Sequence, residues 1–222
     1  MKTVSFGIID YIRMYKKHGL RLPLKYFFEN HLYDLVNNVD THTWQPQSLE
    51  AGTPVNWDHG IIYMASWKSV IKKSTIQAQA LLNTPLSQVI DVGCGKGKVL
   101  CIWEKLYKNT KTEIIGIEYD EQLIKTCKNN LKKVNAQKSR VYMEDAALFD
   151  SNMVQQNTII FLYNPFDEVI LDAFLKSLPK LRLAVVYVNP VHAKLFEKYD
   201  FNTHLRVRSW HPTGSYIIFH RS

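Results

Sequence analysis

At 222 residues the chain is long enough for one domain with a modest extension and too short for two large ones. Hydrophobic residues make up 46% and charged residues 22%, which excludes wholesale disorder and fibrous repeats, and no apolar run reaches the roughly 18 residues of a membrane-crossing helix. The net charge of +8 permits an acidic partner such as nucleic acid, but it is spread along the chain without a basic tail.

The start, Met1 to Asp10, lacks a basic flank followed by a long apolar core, so a cytoplasmic location is expected. Cys94, Cys101 and Cys127 fall inside patterned elements and have no ligand spacing. They read as reduced, buried thiols, and no metal site is expected.

Residues 1–60 mix helical runs with breakers: an amphipathic run from Val4 to Lys17, then His18-Gly19 and Pro23, an aromatic-rich run from Tyr26 to Val36, and a polar stretch to Asp58. This segment is expected to form an N-terminal helical extension or lid, with residues 61–222 as the main domain. Its side chains Tyr11, Tyr15, Lys16, Lys17, Tyr26, Phe27 and Phe28 suit a substrate lid or a nucleic-acid stacking surface. The preferred reading is simpler: these aromatics pack helices onto the core. A further helix is expected from Ser66 to Leu82, because Trp67, Val70, Ile71, Ala78 and Leu81 recur at helical spacing.

From Gln88 the pattern changes to short β-branched runs alternating with helical ones, as in a parallel sheet covered on both faces. Strands are expected at Gln88–Val92, Glu113–Glu118, Arg140–Glu144, Thr158–Asn164 and Leu183–Asn189, and helices at Val99–Tyr107, Glu121–Lys133 and Asp167–Leu178. Lys125, Lys128, Lys132 and Lys133 read as a solvated helix face. After Val191 to Tyr199, the runs His204–Trp210 and Ser215–His220 flank Pro212-Thr213-Gly214 and predict an antiparallel hairpin.

The first expected strand runs through Asp91 into Gly93-Cys94-Gly95-Lys96-Gly97-Lys98 and then a helix. Glycines there let the backbone approach a ligand, and a helix N-terminus offers free N–H groups, so a nucleoside-bearing ligand belongs at this turn. Lys98 stands where a Walker phosphate loop needs its second glycine, which excludes that loop. It also fills the third-glycine place of a dinucleotide loop, leaving NAD as the runner-up.

The strand bearing Asp91, followed by Gly-x-Gly-x-Gly, resembles the first motif of class I S-adenosylmethionine-dependent methyltransferases, and the resemblance covers roughly residues 60–222. It implies an α/β, Rossmann-like, mostly parallel seven-stranded sheet of order 3-2-1-4-5-7-6, with a C-terminal antiparallel hairpin and N-terminal helices. It implies S-adenosyl-L-methionine as cofactor, with Asp91 toward the amino-acid end of the donor beside Gly93, Gly95 and Gly97. By the same resemblance Glu118, followed by Tyr119, accepts from both ribose hydroxyls, and Asp145, in preference to Glu144, reads the adenine edge with the backbone N–H of Ala146. Each carboxylate also has a plainer use, as a loop cap, a strand-end surface charge or an N-cap.

Asn164-Pro165-Phe166, at the end of the fourth expected strand, resembles the Asn/Asp-Pro-Pro-Tyr/Phe motif of amino-directed methyltransferases with its second proline missing. The resemblance implies that Asn164 aligns an acceptor amine and that Phe166 packs against it; the plainer use is a helix start, with Asn164 as cap before Asp167 and Glu168. Tyr63, ahead of Ser66, resembles a tyrosine that contacts the donor in seven-strand lysine methyltransferases, and a buried core tyrosine is the alternative. The acceptor is expected to be an amine, a protein lysine first, with small molecules and nucleic-acid bases behind it. The competing functions are a non-catalytic scaffold or activator with the same fold and, further off, an NAD-dependent oxidoreductase.

Overall fold

The computed structural model of the chain describes residues 7–43 and 63–221. The expected helical start at Val4, the polar stretch from residue 44 to Asp58 and the boundary between residues 60 and 61 lie outside the described residues.

Five strands, β1 (Gln88–Val92), β2 (Glu113–Glu118), β3 (Ser139–Met143), β4 (Thr158–Tyr163) and β5 (Leu183–Val188), pair in parallel. A final hairpin, β6 (Asn202–Val207) and β7 (Tyr216–Arg221), pairs antiparallel, with β7 alongside β5. The seven-stranded order is β3-β2-β1-β4-β5-β7-β6, the order implied by the sequence resemblance. Side chains alternate across the sheet with the two-residue period of a strand. Val89, Ile159, Phe161, Ala184 and Val186 join one buried core, while Ile90, Val92, Ile160, Leu162, Val185 and Tyr187 join the other.

Helices α4 (Lys68–Leu82), α5 (Lys98–Leu106), α6 (Glu121–Lys133) and α7 (Glu168–Ser177) cover these faces. Asp120 caps α6 by accepting from the N–H groups of Gln122 and Leu123, and Asp167 caps α7 through Val169 and Ile170. Lys125, Lys128, Lys132 and Lys133 are exposed, the solvated face expected of them. The expected strands β3, β4 and β5 end one residue earlier than anticipated. Asn164 and Asn189, the next residues after β4 and β5, turn into positive φ and stop the ladder. Residues 193–199 form a 3-10 turn, and Pro212–Gly214 forms another within the hairpin loop.

The N-terminal segment differs more from expectation. It begins with α1 (Ile8–His18), which ends at Gly19 with φ +62°. The run from Tyr26 to Val36 is not one regular helix. It passes from α2 (Arg21–Tyr26) through a π turn, Phe27–His31, into α3 (Leu32–Asn37). The wider turn brings the backbone carbonyl of Glu29 and the side chain of buried Asn30 onto the ammonium of Lys98. Lys96 meets Asp40 and Thr43 in the same layer, with Nζ 3.1 Å from the Asp40 carboxylate. Asn130 of α6 completes the clamp: it accepts from Asp40 N–H at 2.9 Å and donates to the carbonyls of Asp40 and Lys96 at 2.7 and 2.9 Å.

The expectation that the N-terminal aromatics pack onto the core fails for Tyr15, Phe27 and Phe28, which are exposed, while Tyr11 and Tyr26 are half-buried and meet each other edge to face within the N-terminal layer. Asn130→Ala leaves three backbone groups without partners and is expected to cost about 1–3 kcal/mol. A lowered denaturant midpoint with faster proteolysis inside residues 7–43 is the expected result. An unchanged midpoint would show that the clamp does not hold the layer.

Candidate functional site

A cleft opens at the carboxyl edge of the sheet, where open α/β folds collect their ligands. Residues from four parallel strand ends line it: Asp91 in β1 and Gly93 after it, Glu118 as the last residue of β2, Asn164, Pro165 and Phe166 after β4, and Asn189 after β5. Glu144 and Ala146, which follow β3, line it too. Of the residues singled out in the sequence, Tyr63 and Tyr119 also face this cavity. Gly95, Gly97 and Asp145 are not among its lining residues.

The glycine loop is built by close contact. A Cβ on Gly93 would lie 2.5 Å from Pro165 Cβ, and one on Gly95 only 2.1 Å from the ring of Tyr63. Both glycines also have φ above +50°, which favours glycine. Gly97, against Cys127, leads directly into α5. The two loop lysines do not offer their charges to a phosphate, since both ammonium groups are bound within the N-terminal layer. Burial lowers the Lys98 pKa to about 7, with Asp34 and Glu29 opposing that shift.

Glu118 is 5% exposed and Asp91 3%. Glu118 Oε2 accepts from Gly95 N–H at 2.8 Å, while Oε1 accepts from Tyr119 and Asp120 N–H at 2.9 and 3.1 Å. A carboxylate offers about four acceptor positions, so three are filled by backbone in this structure and one remains. That differs from the expectation of a group free to accept from two ribose hydroxyls. Burial nevertheless dominates its titration and raises its pKa to about 7 against the pull of those three N–H groups. Burial, reinforced by the charge of Glu118, lifts Asp91 well above the ordinary aspartate range. The cleft therefore suits a ligand carrying positive charge.

Asp145 lies beside the cavity as the N-cap of the 3-10 turn Ala146–Leu148, accepting from Ala147 N–H at 2.8 Å. Of the two acidic residues after β3, its neighbour Glu144 is the one in the lining. Tyr63 combines its two alternatives: its ring packs on Gly95 and borders the cavity, and its hydroxyl donates to the Thr41 carbonyl at 2.6 Å. Asn164 is not the cap of α7, because Asp167 is. It is buried, with φ +39°, and its Oδ1 accepts from the Tyr187 hydroxyl at 2.8 Å. Phe166 is also buried, against Phe174, as well as bordering the cleft.

Asn189 was missed in the sequence. The signal was there, because Asn189-Pro190 after β5 repeats Asn164-Pro165 after β4, and both asparagines have positive φ. The three cysteines are free and buried, as expected. Among the described residues, Asp34, Asp40 and His42 could group around a cation, but Asp34 already accepts from Thr41 and His42, and Asp40 is paired with Lys96.

A methyltransferase domain family profile matches residues 83–197, more than half of the chain. The chain belongs to this methyltransferase domain family. Its cofactor is S-adenosylmethionine. The chain resembles in fold the methyltransferase domain of bacterial CtHen1, at 16% identity and a TM-score of 0.50 over 68% of this chain and 97% of that one. It also resembles a point mutant of MtNAS, at 8% identity and a TM-score of 0.53 over 69% of this chain and 60% of that one. A SAM-dependent methyltransferase from Aquifex aeolicus matches at 16% identity and a TM-score of 0.49 over 68% of this chain and 96% of that one. A comparison with curated proteins gives no match.

The raised carboxylates make the cleft sensitive to pH. Folded Glu118, with its pKa at about 7, retains a proton that the unfolded chain releases near 4.5. Its contribution to ligand-free stability is therefore full below pH 4.5 and is lost as pH rises through about 7. A cationic donor favours the ionised cleft, so donor affinity is expected to rise over the same window. The melting-temperature gain caused by S-adenosylmethionine should be larger at pH 8 than at pH 5.5. A gain independent of pH would show that these carboxylates do not face the donor's charge.

Proposed function

We propose that the protein transfers the methyl group of S-adenosylmethionine to an amine nitrogen, with a protein lysine favoured among amines. The observation that carries this reading is the buried Asn164, held at positive φ with its carbonyl fixed by Tyr187, in the same cleft as Asp91 and Glu118. Pro165 rests on Gly93, so Asn164, the residue before it and the one that would align the acceptor, is tied through the chain to the glycine loop.

When bound, the donor supplies an electrophilic methyl group on a sulfonium. In this reading Asp91 meets the donor's amino-acid end and Glu118 uses its remaining acceptor position for a ribose hydroxyl. Ala146, with Asp145 or Glu144, serves the adenine edge, while Tyr63 and Tyr119 border the donor. Asn164 Oδ1, a carbonyl with a second lone pair, accepts from the acceptor amine and points its nitrogen lone pair at the methyl group. An amide cannot take a proton, so the amine arrives neutral and alignment supplies the acceleration. Phe166 borders the acceptor end, and its burial against Phe174 gives that wall a fixed position.

Asn164→Ala is expected to keep most donor affinity, measured by calorimetry, and to lose methyl transfer by roughly a hundredfold or more in single turnover. Normal transfer by the folded variant would remove Asn164 from the chemistry and with it the main support for an amine acceptor. Glu118→Ala is expected to weaken donor binding by about 1.5–3 kcal/mol and also to lower the melting temperature, because three backbone N–H groups lose their acceptor. A lower melting temperature with unchanged donor affinity would make Glu118 a loop support only. Labelled donor incubated with fractionated cell extract distinguishes protein, nucleic-acid and small-molecule acceptors, and the absence of transfer despite donor binding would favour the scaffold.

A further inference from the structure

The outer face of the N-terminal layer takes no part in the donor cleft. In α1, Tyr11 turns inward against Tyr26 and His31, and Met14 packs on the core. Ile8, Ile12 and Tyr15 follow one another at spacings of four and three, so they share a different stripe of the helix. That stripe is open to solvent: Ile8 is 77% exposed, Ile12 48% and Tyr15 54%. Ile9 widens it toward Arg13, Lys16 and Lys17, all exposed on its flank. On the adjoining elements Leu20, Leu24, Phe27 and Phe28 are exposed as well, interspersed with Arg21 and Lys25.

Over residues 7–29 five lysines and arginines stand against Asp10 and Glu29, a net charge of +3; with Lys25 paired to buried Glu29, the excess lies on Arg13, Lys16, Lys17 and Arg21, beside a surface rich in isoleucine, leucine and phenylalanine. A clustered apolar surface of this kind marks an interaction site. Nucleic acid would answer the charge but give no burial to Ile8, Ile9 and Ile12. A second copy of the same face would bury the isoleucines but set like charges against each other. An anionic bilayer surface satisfies both: the boundary of the acyl chains takes the apolar stripe, and the headgroups take the flanking cations.

We infer that the N-terminal layer binds peripherally to an anionic lipid surface, with α1 lying in the headgroup region. The layer is hydrogen-bonded to the glycine loop through Lys96 and Lys98, so a chain docked in this way carries its cleft to the bilayer.

Sedimentation of the full chain with vesicles tests this. Vesicles of phosphatidylcholine containing phosphatidylglycerol should bind at least about tenfold more tightly than phosphatidylcholine alone, and added salt should weaken the binding. The paired substitutions Lys16→Glu with Lys17→Glu, and Ile8→Ser with Ile12→Ser, should each reduce partitioning by about tenfold or more. Both variants should keep the melting temperature and donor affinity of the parent, which separates lost docking from lost folding. Failure to bind phosphatidylglycerol vesicles, or equal binding by parent and variants, would overturn the inference. So would vesicle-independent dimerisation abolished by the isoleucine substitutions, or binding of single-stranded RNA abolished by the lysine substitutions while vesicles are ignored.

Discussion

The absence of room for a side chain at the glycine loop is the constraint on which the rest of the site depends. Pro165 occupies the space beside Gly93, and Tyr63 the space beside Gly95. The loop is thereby pressed between the segment after β4 and the segment before α4. One backbone turn fixes the separation between Asn164, proposed to align the acceptor, and Asp91 and Glu118, proposed to meet the donor. A methyl group added at either glycine would drive apart elements that are far apart in sequence and join only here.

The second organising feature is the burial of charge. Asp91 and Glu118 lie at the ends of neighbouring parallel strands, where the sheet leaves little water to solvate them. Three backbone N–H groups stabilise ionised Glu118, yet desolvation outweighs them. Such a pair is costly in an empty cleft, and a cationic ligand relieves that cost.

Much of this was legible in the chain itself. Gln88–Val92, Glu113–Glu118 and Glu121–Lys133 have the expected bounds, because β-branched runs, a glycine turn and an aspartate cap leave little choice of secondary structure. The strand order followed from the resemblance carried by the glycine loop and the terminal hairpin. What could not be read was non-local. The π turn at Phe27–His31 serves Lys98, whose two acceptors lie 68 and 69 residues before it, and no periodicity within the turn announces that partner. Nor does sequence tell that Glu118 spends three acceptor positions on its own backbone neighbours, or that Glu144 rather than Asp145 borders the cavity. Adjacent acidic residues differ only in which way the chain turns after β3.

Lys98 and Tyr63 both border the cleft, and both end on acceptors in the N-terminal layer: Lys98 on Glu29 and Asn30, Tyr63 on Thr41. Part of the cavity wall is therefore held from outside the segment that defines the family. A fragment trimmed to residues 83–197 would keep the glycine loop, Asp91 and Glu118 but lose Tyr63 altogether and leave the Lys98 ammonium without its two acceptors. It would also lack β6 and β7, and with them the strand that pairs with β5. The family core in this protein carries most of the cleft's lining but not its whole wall, and the shape of the cleft belongs to the longer chain.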